Sequence, residues 1–371
     1  MSAHVNISEF PTLREPPTIK NSPAKESSRN KIWIKITNWE YWPFGLVYIP
    51  VFIYWAWLVL KARSFFFFSA SNPSIENGGM LGESKIKIFD LIKEELKPKT
   101  IYIKYDATAN QIQGILKKEN LHFPLIFKPD IGERGSFVEK IENEAAVEKY
   151  LSKIKVDFLI QEYIDYPIEM GVFYYRLPNE ETGRVSSIVV KDMLSVIGDG
   201  QSTIKELAMR IPRAKVIMTD LEVRLGKTMK KVLRNGKIME LEPIGNHCRG
   251  TAFLNGNHII NKRLDATFDK IAKTIDGFYF GRFDLRCTSI EDLYKGKNIK
   301  ILELNGAGSE PGHIYHPGTT LLEAYNAIFH HVKMLYKISK QNHEQGVRYM
   351  TFSEGISEIK KLRAYNKRKD A

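Results

Sequence analysis

Apolar and polar residues alternate in two short runs in the last third of the chain, at residues 278–285 and 299–304. Alternation with a period of two predicts half-buried β-strands. A charged segment that contains Gly296 separates the runs, and this order favours a hairpin. The pattern therefore predicts two paired strands near the end of the chain.

The predicted hairpin collects oxygen-bearing side chains on one face. Residues two apart on a strand point to the same side, so Arg282, Asp284 and Arg286 share a face of the first strand, and Glu303 and Asn305 share a face of the second. Carboxylate and amide oxygens suit Mg²⁺ or Mn²⁺, which commonly serves phosphates. We interpret these oxygens as a candidate metal site. The alternative is a solvated hairpin face with a surface ion pair.

Upstream of this hairpin, segments with helical spacing alternate with short apolar strands. The pattern predicts a helix at 86–97, a strand at 100–104, a helix at 107–120, strands at 123–128 and 136–141, a helix at 144–153 and a strand at 158–163. Ser202 or Thr203 caps a helix that begins near Ile204, with Glu206 completing the cap. After Thr320, apolar residues at helical spacing predict a closing helix. Mixed elements of this kind predict α+β or α/β lobes.

The beginning of the chain differs from the rest. Residues 1–30 are rich in Pro, Ser, Asn and charge, which predicts a disordered leader. Residues 43–68 are almost uncharged and aromatic, and about 20 apolar residues are enough to cross a bilayer. A spanning helix, a kinked or hairpin segment in one leaflet, and a buried helix of a soluble domain are the three interpretations. Basic residues flank the segment on both sides, Lys31 and Lys35 before it and Lys61 and Arg63 after it, so charge does not set an orientation.

Composition narrows the choice of partner. The 371 residues carry a formal net charge of +12, which favours a nucleotide or an acidic membrane surface as partner. No recognised nucleic-acid motif accompanies the charge, so we expect no nucleic acid. Cys248 and Cys287 lack metal-ligand spacing and give no disulfide framework, which fits a reducing compartment.

A glycine-bearing loop follows the apolar strand that ends at Lys128. Glycines allow backbone amides to approach phosphate oxygens closely, and Lys128 and Arg134 supply positive charge. The loop, with Gly132, Gly135 and Ser136, is a candidate phosphate site. A hairpin turn without function would look similar.

Taken in order, these motifs resemble the ATP-grasp superfamily. The shared elements are Lys-Pro-Asp at 128–130, the glycine loop, Gln-Glu-Tyr-Ile at 161–164, Glu169, Lys191, Arg-Phe-Asp at 282–284 and Glu-Leu-Asn at 303–305. The match covers roughly residues 106–330. The run at 196–210, with Gly-Asp-Gly followed by Ser-Thr-Ile, is similar to the cyanophycin-synthetase-like branch, beside the D-alanine:D-alanine ligase-like one.

The resemblance implies an α+β protein with the ATP-grasp fold, in which two α/β lobes grip ATP after an apolar helical N-terminal segment. We expect a leader at 1–30, the apolar segment at 31–70, a linker at 71–105, the ATP-grasp domain at 106–338 and a basic tail at 339–371. Dipeptide ligases of the family open with a domain of about 100 residues, which is replaced here, so no particular substrate is implied.

The resemblance also implies roles for single residues. The residues implied to bind ATP are Lys128, Arg134, Gly135, Ser136, Gln161, Glu162, Tyr163, Ile164, Glu169 and Lys191. Arg282 and Lys191 are implied to be catalytic, and the metal ligands are implied to be Asp284, Glu303 and Asn305. For the second substrate we expect Arg249 to clamp a carboxylate, and His313 or His316 to accept a proton.

The primary hypothesis is an ATP- and Mg²⁺-dependent carboxylate–amine ligase that works through an acyl-phosphate. Its substrates are small-molecule or lipid-linked carboxylates and amines. The alternatives are a catalytically silent ATP-binding scaffold at a membrane, and an ATP-grasp kinase that does not ligate. We expect a cytoplasmic protein, anchored to the inner face of the membrane if residues 43–68 make that contact.

Overall fold

The computed structural model describes residue 36, residues 38–132 and residues 135–371. The predicted leader, Lys31, Lys35 and Arg134 lie outside the described residues. The helices are α1 (Phe44–Val47), α2 (Ile49–Ala62), α3 (Lys85–Leu91), α4 (Ala109–Lys118), α5 (Glu144–Leu151), α6 (Ile204–Met209), α7 (Pro212–Val216), α8 (Met218–Leu225), α9 (Lys262–Lys273), α10 (Ile290–Lys295), α11 (Leu321–Glu344) and α12 (Phe352–Lys369). The strands are β1 (Thr100–Ile103), β2 (Leu125–Pro129), β3 (Glu139–Ile141), β4 (Phe158–Glu162), β5 (Ile168–Tyr175), β6 (Arg184–Asp192), β7 (Ser195–Ile197), β8 (Ile238–Glu240), β9 (Ala252–Asn255), β10 (Phe280–Cys287) and β11 (Ile299–Asn305).

The first lobe is a four-stranded antiparallel sheet in the order β1-β4-β2-β3. Helices α4 and α5 begin at side-chain caps, a Thr108–Gln111 capping box and Asn143, which satisfy free N–H groups of the first turn. Their apolar sides join the strands in a core around Phe127, Tyr150 and Phe158. The helices and strands predicted here are confirmed within a few residues.

The second lobe is a five-stranded antiparallel sheet in the order β11-β10-β5-β6-β9. One face packs against α9 and α3 through residues such as Val172, Phe268 and Phe283. Because side chains alternate along a strand, the residues on either side of Phe283 point to the opposite face of the sheet, where the polar side chains of the hairpin lie. The predicted pairing of the two C-terminal strands is confirmed, and so is the α+β class with two α/β lobes.

A β-bulge decides which residues of β11 face which way. The register is Asp284 opposite Glu303 and then Leu285 opposite Ile301, so Leu302 is an extra residue on β11. Without it, Glu303 would continue the buried face begun by Ile299 and Ile301. With it, Leu304 takes the buried position, and Glu303 turns to the polar face.

Residues 194–241 form a small subdomain attached to the second lobe. The ribbon of β7 and β8 and helices α6 to α8 enclose their own core, which includes Val196, Leu207 and Leu221. Helix α6 starts at Thr203 with a full capping box to Glu206, which confirms the predicted cap.

The apolar N-terminal segment packs against the second lobe. Helices α1 and α2 lie along α11: the Tyr54 ring meets the Phe329 ring edge-on, and the Tyr325 hydroxyl donates to the Val47 carbonyl at 2.7 Å. Leu58 is 1% exposed at this contact. Among the described residues, none of the helices has both the length and the apolar character needed to cross a membrane.

The loop after α2 is docked on the loop that follows β11. Asn72 is fully buried; its amide donates to the carbonyls of Gly78 and Phe280 and accepts from the N–H groups of Tyr279 and Phe280, all at 2.9 Å. The Ala307 N–H donates to the Gly78 carbonyl at 2.9 Å. The polar loop thus positions the chain immediately after β11.

The C-terminal segment returns to the first lobe. Helix α12 brings Tyr365 to the first lobe, where its hydroxyl accepts from the Ile131 N–H at 3.4 Å. Strand β1, within the expected linker, is an edge of the first sheet. The domain boundaries at residues 30, 70, 105 and 338 stay a prediction.

Candidate functional site

A cleft of about 1280 Å³ lies between the two sheets. Most of the residues predicted to bind ATP or metal line it from both lobes. From the first lobe these are Lys128, Gly135, Ser136, Gln161, Glu162, Tyr163 and Ile164, and from the second Glu169, Lys191, Arg282, Asp284, Glu303 and Asn305. Strands separated by more than 150 residues in sequence thus bring one polar surface together.

The floor of the cleft is a network of buried opposite charges. Lys191 Nζ lies 3.2 Å from Glu169 Oε1 and 3.7 Å from Asp284 Oδ1. Arg286 Nε donates to the other Glu169 oxygen at 2.8 Å. Arg282 donates to both Asp284 oxygens, from Nε at 3.0 Å and from Nη2 at 2.9 Å. Each buried carboxylate therefore faces two cations.

These contacts set the protonation of the network. Burial alone raises the pKa of Glu169, but Lys191 and Arg286 hold this pKa below its ordinary value. The pKa of Asp284 is likewise lowered, because Arg282 and Lys191 outweigh its burial. Both carboxylates are therefore ionised at neutral pH.

Gly171 on β5 makes room for this network. It is the residue opposite Asp284 in the β5–β10 register. A Cβ at this position would lie 2.8 Å from Asp284 Oδ1 and 3.0 Å from Arg282 Cδ. A side chain here would displace the ion pair of the cleft floor.

Lys128 reaches across the cleft from the first lobe. Its ammonium donates to the Gln161 side-chain oxygen at 3.1 Å and to the Leu302 carbonyl, at the bulge, at 2.9 Å. Burial lowers the pKa of Lys128 to about 8. Lys128 and Lys191 therefore meet the cleft from opposite lobes.

Asp284, Glu303 and Asn305 are brought together on paired strands. Asp284 stands opposite Glu303, and Asn305 Nδ2 donates to Asp284 Oδ2 at 3.1 Å, which leaves the amide oxygen of Asn305 as an acceptor. Lys85 Nζ lies 3.6 Å from Glu303, whose side chain is 34% exposed. In the part of the chain that the structure describes, no cluster of three His, Cys, Asp or Glu residues forms a metal site. The set of two carboxylates and one amide oxygen fits a hard cation shared with phosphates.

The glycine loop is held by residues on either side of it. Lys85 Nζ donates to the Gly132 carbonyl at 2.6 Å. Arg249 Nη1 donates to the carbonyls of Gly135 at 3.3 Å and Val138 at 2.9 Å, while its Nε donates to buried Glu242 at 3.1 Å. These contacts engage Nε and Nη1 of Arg249, and its predicted carboxylate-clamp role stays a prediction.

Arg286, to which the sequence analysis assigned no role, anchors the segment that follows β4. Arg286 Nη1 donates to the Ile164 carbonyl at 2.7 Å, and Lys140 lies 4.2 Å from the centre of the Tyr163 ring. Arg286 thus joins the Gln-Glu-Tyr-Ile segment to Glu169. Its spacing of two from Asp284 was the signal available in the sequence.

His313 and His316 face a different cavity. They line a pocket of about 470 Å³ together with residues such as Asn255 and Glu323. His313 Nδ1 is 2.6 Å from the Ser187 hydroxyl, and burial lowers the pKa of His313 to about 4. His316 accepts from the Asn255 N–H at 3.2 Å. The structure therefore does not bring these two histidines to the large cleft, and their role as proton acceptors stays a prediction without support from this placement.

The far end of the cleft has walls that sequence reasoning missed. Glu310 accepts hydrogen bonds from the hydroxyls of Tyr48 and Tyr315, and its backbone carbonyl accepts from Arg282 Nη1 at 3.0 Å. Trp39 stacks on Tyr315 with 5.7 Å between ring centres. The aromatic N-terminal segment thus forms a wall of the cleft beside Arg282. Local periodicity carries no signal for a contact between residues 48 and 310.

Burial also changes a carboxyl group at this end. It raises the pKa of Glu40 to about 7, and the Glu40 carboxyl lies 3.4 Å from His247 Nε2. Burial lowers the pKa of His247. This end of the cleft therefore combines acidic groups with aromatic rings.

The chain matches no protein-family model, and no curated protein matches it in sequence. Among solved structures it is similar to a bifunctional glutathione synthetase from Pasteurella multocida, with 13% identity and a TM-score of 0.35 over 68% of this chain and 35% of that chain. It is also similar to the D-alanine–D-alanine ligase from Bacillus anthracis complexed with ATP, with 12% identity and a TM-score of 0.38 over 71% and 68% of the two chains. The VanG D-Ala:D-Ser ligase from Enterococcus faecalis is similar at 15% identity, with a TM-score of 0.37 over 70% and 61%.

The chain spans about a third of the glutathione synthetase and under two thirds of the VanG ligase. Identity and TM-score are low in each case.

The close approach at Gly171 predicts the effect of a single methyl group. We expect Gly171→Ala to lower the free energy of unfolding by about 1–3 kcal/mol, because the new Cβ lies too close to Asp284 and Arg282 and has to displace their ion pair. Urea unfolding followed by circular dichroism measures the change.

Gly114 offers a matched control. It lies in α4, and a Cβ added there meets nothing within 4 Å. Gly114→Ala should raise the free energy of unfolding by about 0.5–1 kcal/mol through helix propensity. Equal stability of the Gly171→Ala variant and the unaltered protein would show that the cleft floor is looser than the structure implies.

Proposed function

We propose that this chain is an ATP-dependent ligase that joins a carboxylate to an amine through an acyl-phosphate. The observation that supports the proposal is the convergence of Lys128 from one lobe on Lys191, Arg282 and Asp284 from the other, in a cleft large enough for a nucleotide and a second substrate. Cations that face each other across a cleft bind polyphosphate, and ionised carboxylates beside them bind the accompanying cation.

In this proposal the nucleotide lies along the polar floor. Lys128 and Lys191 bind its phosphates, and the loop with Gly135 and Ser136 covers them. Gln161, Glu162, Tyr163 and Ile164 bind the adenine. Glu169 binds the ribose: a carboxylate has about four acceptor sites, so a hydroxyl fits beside its bonds to Lys191 and Arg286.

Asp284, Glu303 and Asn305 are the residues that would hold Mg²⁺ or Mn²⁺. The cation would neutralise phosphate charge during transfer. Around it, Arg282 keeps the Asp284 carboxylate ionised and oriented through two hydrogen bonds. Removal of Asp284 leaves Arg282 without its ion-pair partner, whereas removal of Arg282 leaves Asp284 with Lys191 at 3.7 Å.

The chemistry has two steps. An oxygen of the substrate carboxylate attacks the γ-phosphorus and ADP leaves, which gives an acyl-phosphate. The amine then attacks the acyl carbon, and phosphate leaves as the amide forms. Arg282, which is half-buried and bound to the Glu310 carbonyl, stabilises the negative charge of the tetrahedral intermediate. The loop over the phosphates excludes water, which would otherwise hydrolyse the acyl-phosphate.

The same proposal places the protein in the cytoplasm, in contact with the inner face of the membrane through residues 43–68. Large apolar side chains of this segment are exposed, Ile53 at 68% and Leu60 at 76%, and the exposed cations Lys61 and Arg63 follow them. An apolar surface beside basic residues binds anionic lipid headgroups and their acyl boundary.

Membrane contact predicts co-flotation of the full chain with vesicles of phosphatidylglycerol and phosphatidylcholine. The double substitution Ile53→Glu, Leu60→Glu should remove it, because both side chains point outward and lose their apolar contact with lipid. Val223→Glu, at a position 82% exposed on α8, is the control and should still float. A protein that stays in the soluble fraction with every vesicle composition contradicts the membrane proposal and leaves the ligase proposal intact.

Ligation predicts that ADP release needs two further substrates at once. With MgATP and a panel of carboxylates and amines, we expect ADP only with a matching pair, and with hydroxylamine in place of the amine we expect a hydroxamate. Arg282→Lys should lower kcat about 100- to 1,000-fold, since one point charge replaces a forked donor. A coupled ADP assay measures both effects.

Each other outcome has a separate meaning. ADP released at the same rate without carboxylate or amine excludes ligation. A stable phosphorylated product that hydroxylamine does not trap indicates a kinase. Nucleotide binding with no ADP from any pair, and cellular function unchanged in the Arg282 variant, indicates a silent scaffold.

The lowered pKa of Lys128 predicts a pH dependence. The pKa of about 8 lies below the usual value for lysine, so the cationic, phosphate-binding form dominates below pH 8 and is lost as the pH rises through it. We expect kcat/KM for ATP to fall above about pH 8. Lys128→Arg should lack this decline up to pH 10, because a guanidinium stays protonated there. If kcat/KM declines equally in the unaltered protein and in Lys128→Arg, the decline is due to the titration of another group.

A further inference from the structure

The large cleft continues past Glu310 into a region with apolar walls. This region, the apolar arm, runs between α2 and α11, and its walls include Val51, Trp55, Ile328, Val332 and Leu335. The arm belongs to the same cavity as Arg282 and Asp284. Whatever occupies it is therefore in reach of the reacting groups.

A histidine on the wall of the arm does not make it polar. His331 has both ring nitrogens engaged, Nε2 with the Ser186 hydroxyl at 2.9 Å and Nδ1 with the Ala327 carbonyl at 2.7 Å. Burial lowers the pKa of His331 to about 3, so its ring is neutral at physiological pH. The ring presents a hydrocarbon-like surface to the cavity.

The size of the cleft exceeds what one ligand needs. Pockets for a single small ligand have volumes of roughly 300–1,000 Å³, whereas this cleft has about 1280 Å³. The polar floor accounts for a nucleotide. The remaining space, with Val51 and Leu335 at 5% and 2% exposure on its walls, suits a hydrocarbon chain.

Acidic and aromatic groups stand where the arm meets the polar floor. The Glu310 carboxylate lies there with the rings of Tyr48 and Tyr315, and Trp39 stacks on Tyr315. Carboxylates with aromatic faces recognise an ammonium group, by charge and by cation–π attraction. The nearby guanidinium of Arg282 forms an ion pair with Asp284, which balances its positive charge.

We infer that the amine substrate of this site is an amphiphile, with its ammonium group against Glu310, Tyr48 and Tyr315 and its hydrocarbon chain in the apolar arm. This inference rests on the proposed ligation and names the class of its acceptor: a primary amine on a long alkyl or acyl chain. The arm opens beside Phe44 and Phe52, which are 50% and 51% exposed, so the chain enters from the apolar surface of the N-terminal segment.

Binding of simple alkylamines to the full-length protein tests the inference without a turnover assay. Butylamine, octylamine and dodecylamine, each below its micelle concentration, are titrated against tryptophan fluorescence, with calorimetry as a second readout. Affinity should rise about fourfold per added methylene until the arm is full. Glu310→Gln should weaken all three amines about tenfold or more, because the ammonium group loses its counter-charge.

A substitution that fills the arm separates chain binding from headgroup binding. Val332 is half-buried on the arm wall. Val332→Trp should lower the ratio of the affinity for dodecylamine to the affinity for butylamine at least tenfold. Val223→Trp, on the exposed side of α8, is the matched control and should keep the gain. An increase in Tm on addition of MgATP shows that each variant is folded.

Three results would overturn the inference. Equal affinity for butylamine and dodecylamine excludes an arm that holds a chain. A chain-length gain that is unchanged in Val332→Trp places the chain elsewhere. A gain seen with butanoate, octanoate and dodecanoate but not with the amines makes the carboxylate the amphiphile. Loss of MgATP binding with amine binding retained would instead overturn the proposed ligase function, so the two failures are distinguishable.

Discussion

The site depends on the mutual neutralisation of charges buried in the floor of the cleft. Burying an ion without a partner is unfavourable by several kcal/mol, so Glu169 and Asp284 are tolerated only because cations from the same or a neighbouring strand lie within hydrogen-bonding distance. A hydrophobic floor would be at least as stable. The sheet accommodates these charges: Gly171 leaves space for the ion pair, and the Leu302 bulge turns Glu303 towards the cleft.

The two lobes are joined across this floor largely by polar contacts. Lys128 reaches the Leu302 carbonyl, and Lys85 lies between the Gly132 carbonyl and Glu303. The Lys128 ammonium is bonded to neutral acceptors, the Gln161 side-chain oxygen and the Leu302 carbonyl, and an anionic phosphate accepts a stronger, charge-assisted hydrogen bond. The contact of Lys128 across the cleft is thus of the kind that the polyphosphate of the proposed function would replace.

Much of this could be predicted from the sequence, because the relevant patterns are local. The two C-terminal strands and the capped helix after Thr203 follow from periodicity and capping rules, whereas the shared face of Asp284 and Glu303 depends on the Leu302 bulge, which periodicity does not predict. The separate pocket of His313 and His316 and the wall formed by Tyr48 could not be predicted. Both depend on contacts between segments more than 100 residues apart, such as His313 with Ser187 and Tyr48 with Glu310. The periodicity of one segment says nothing about its distant neighbour.

The bulge at Leu302 has a consequence for how this strand can vary. The extra residue shifts the alternation of the strand by one position: odd-numbered residues face the core before Leu302, and even-numbered residues face it afterwards. Glu303 and Asn305 therefore face the cleft only because the strand contains this one extra residue. Exchange of Leu302 for another apolar residue preserves this alternation. Deletion of Leu302 would instead turn the side chains of Glu303 and Asn305 into the apolar core. Related chains should therefore accept changes of side chain at this position and reject insertions or deletions.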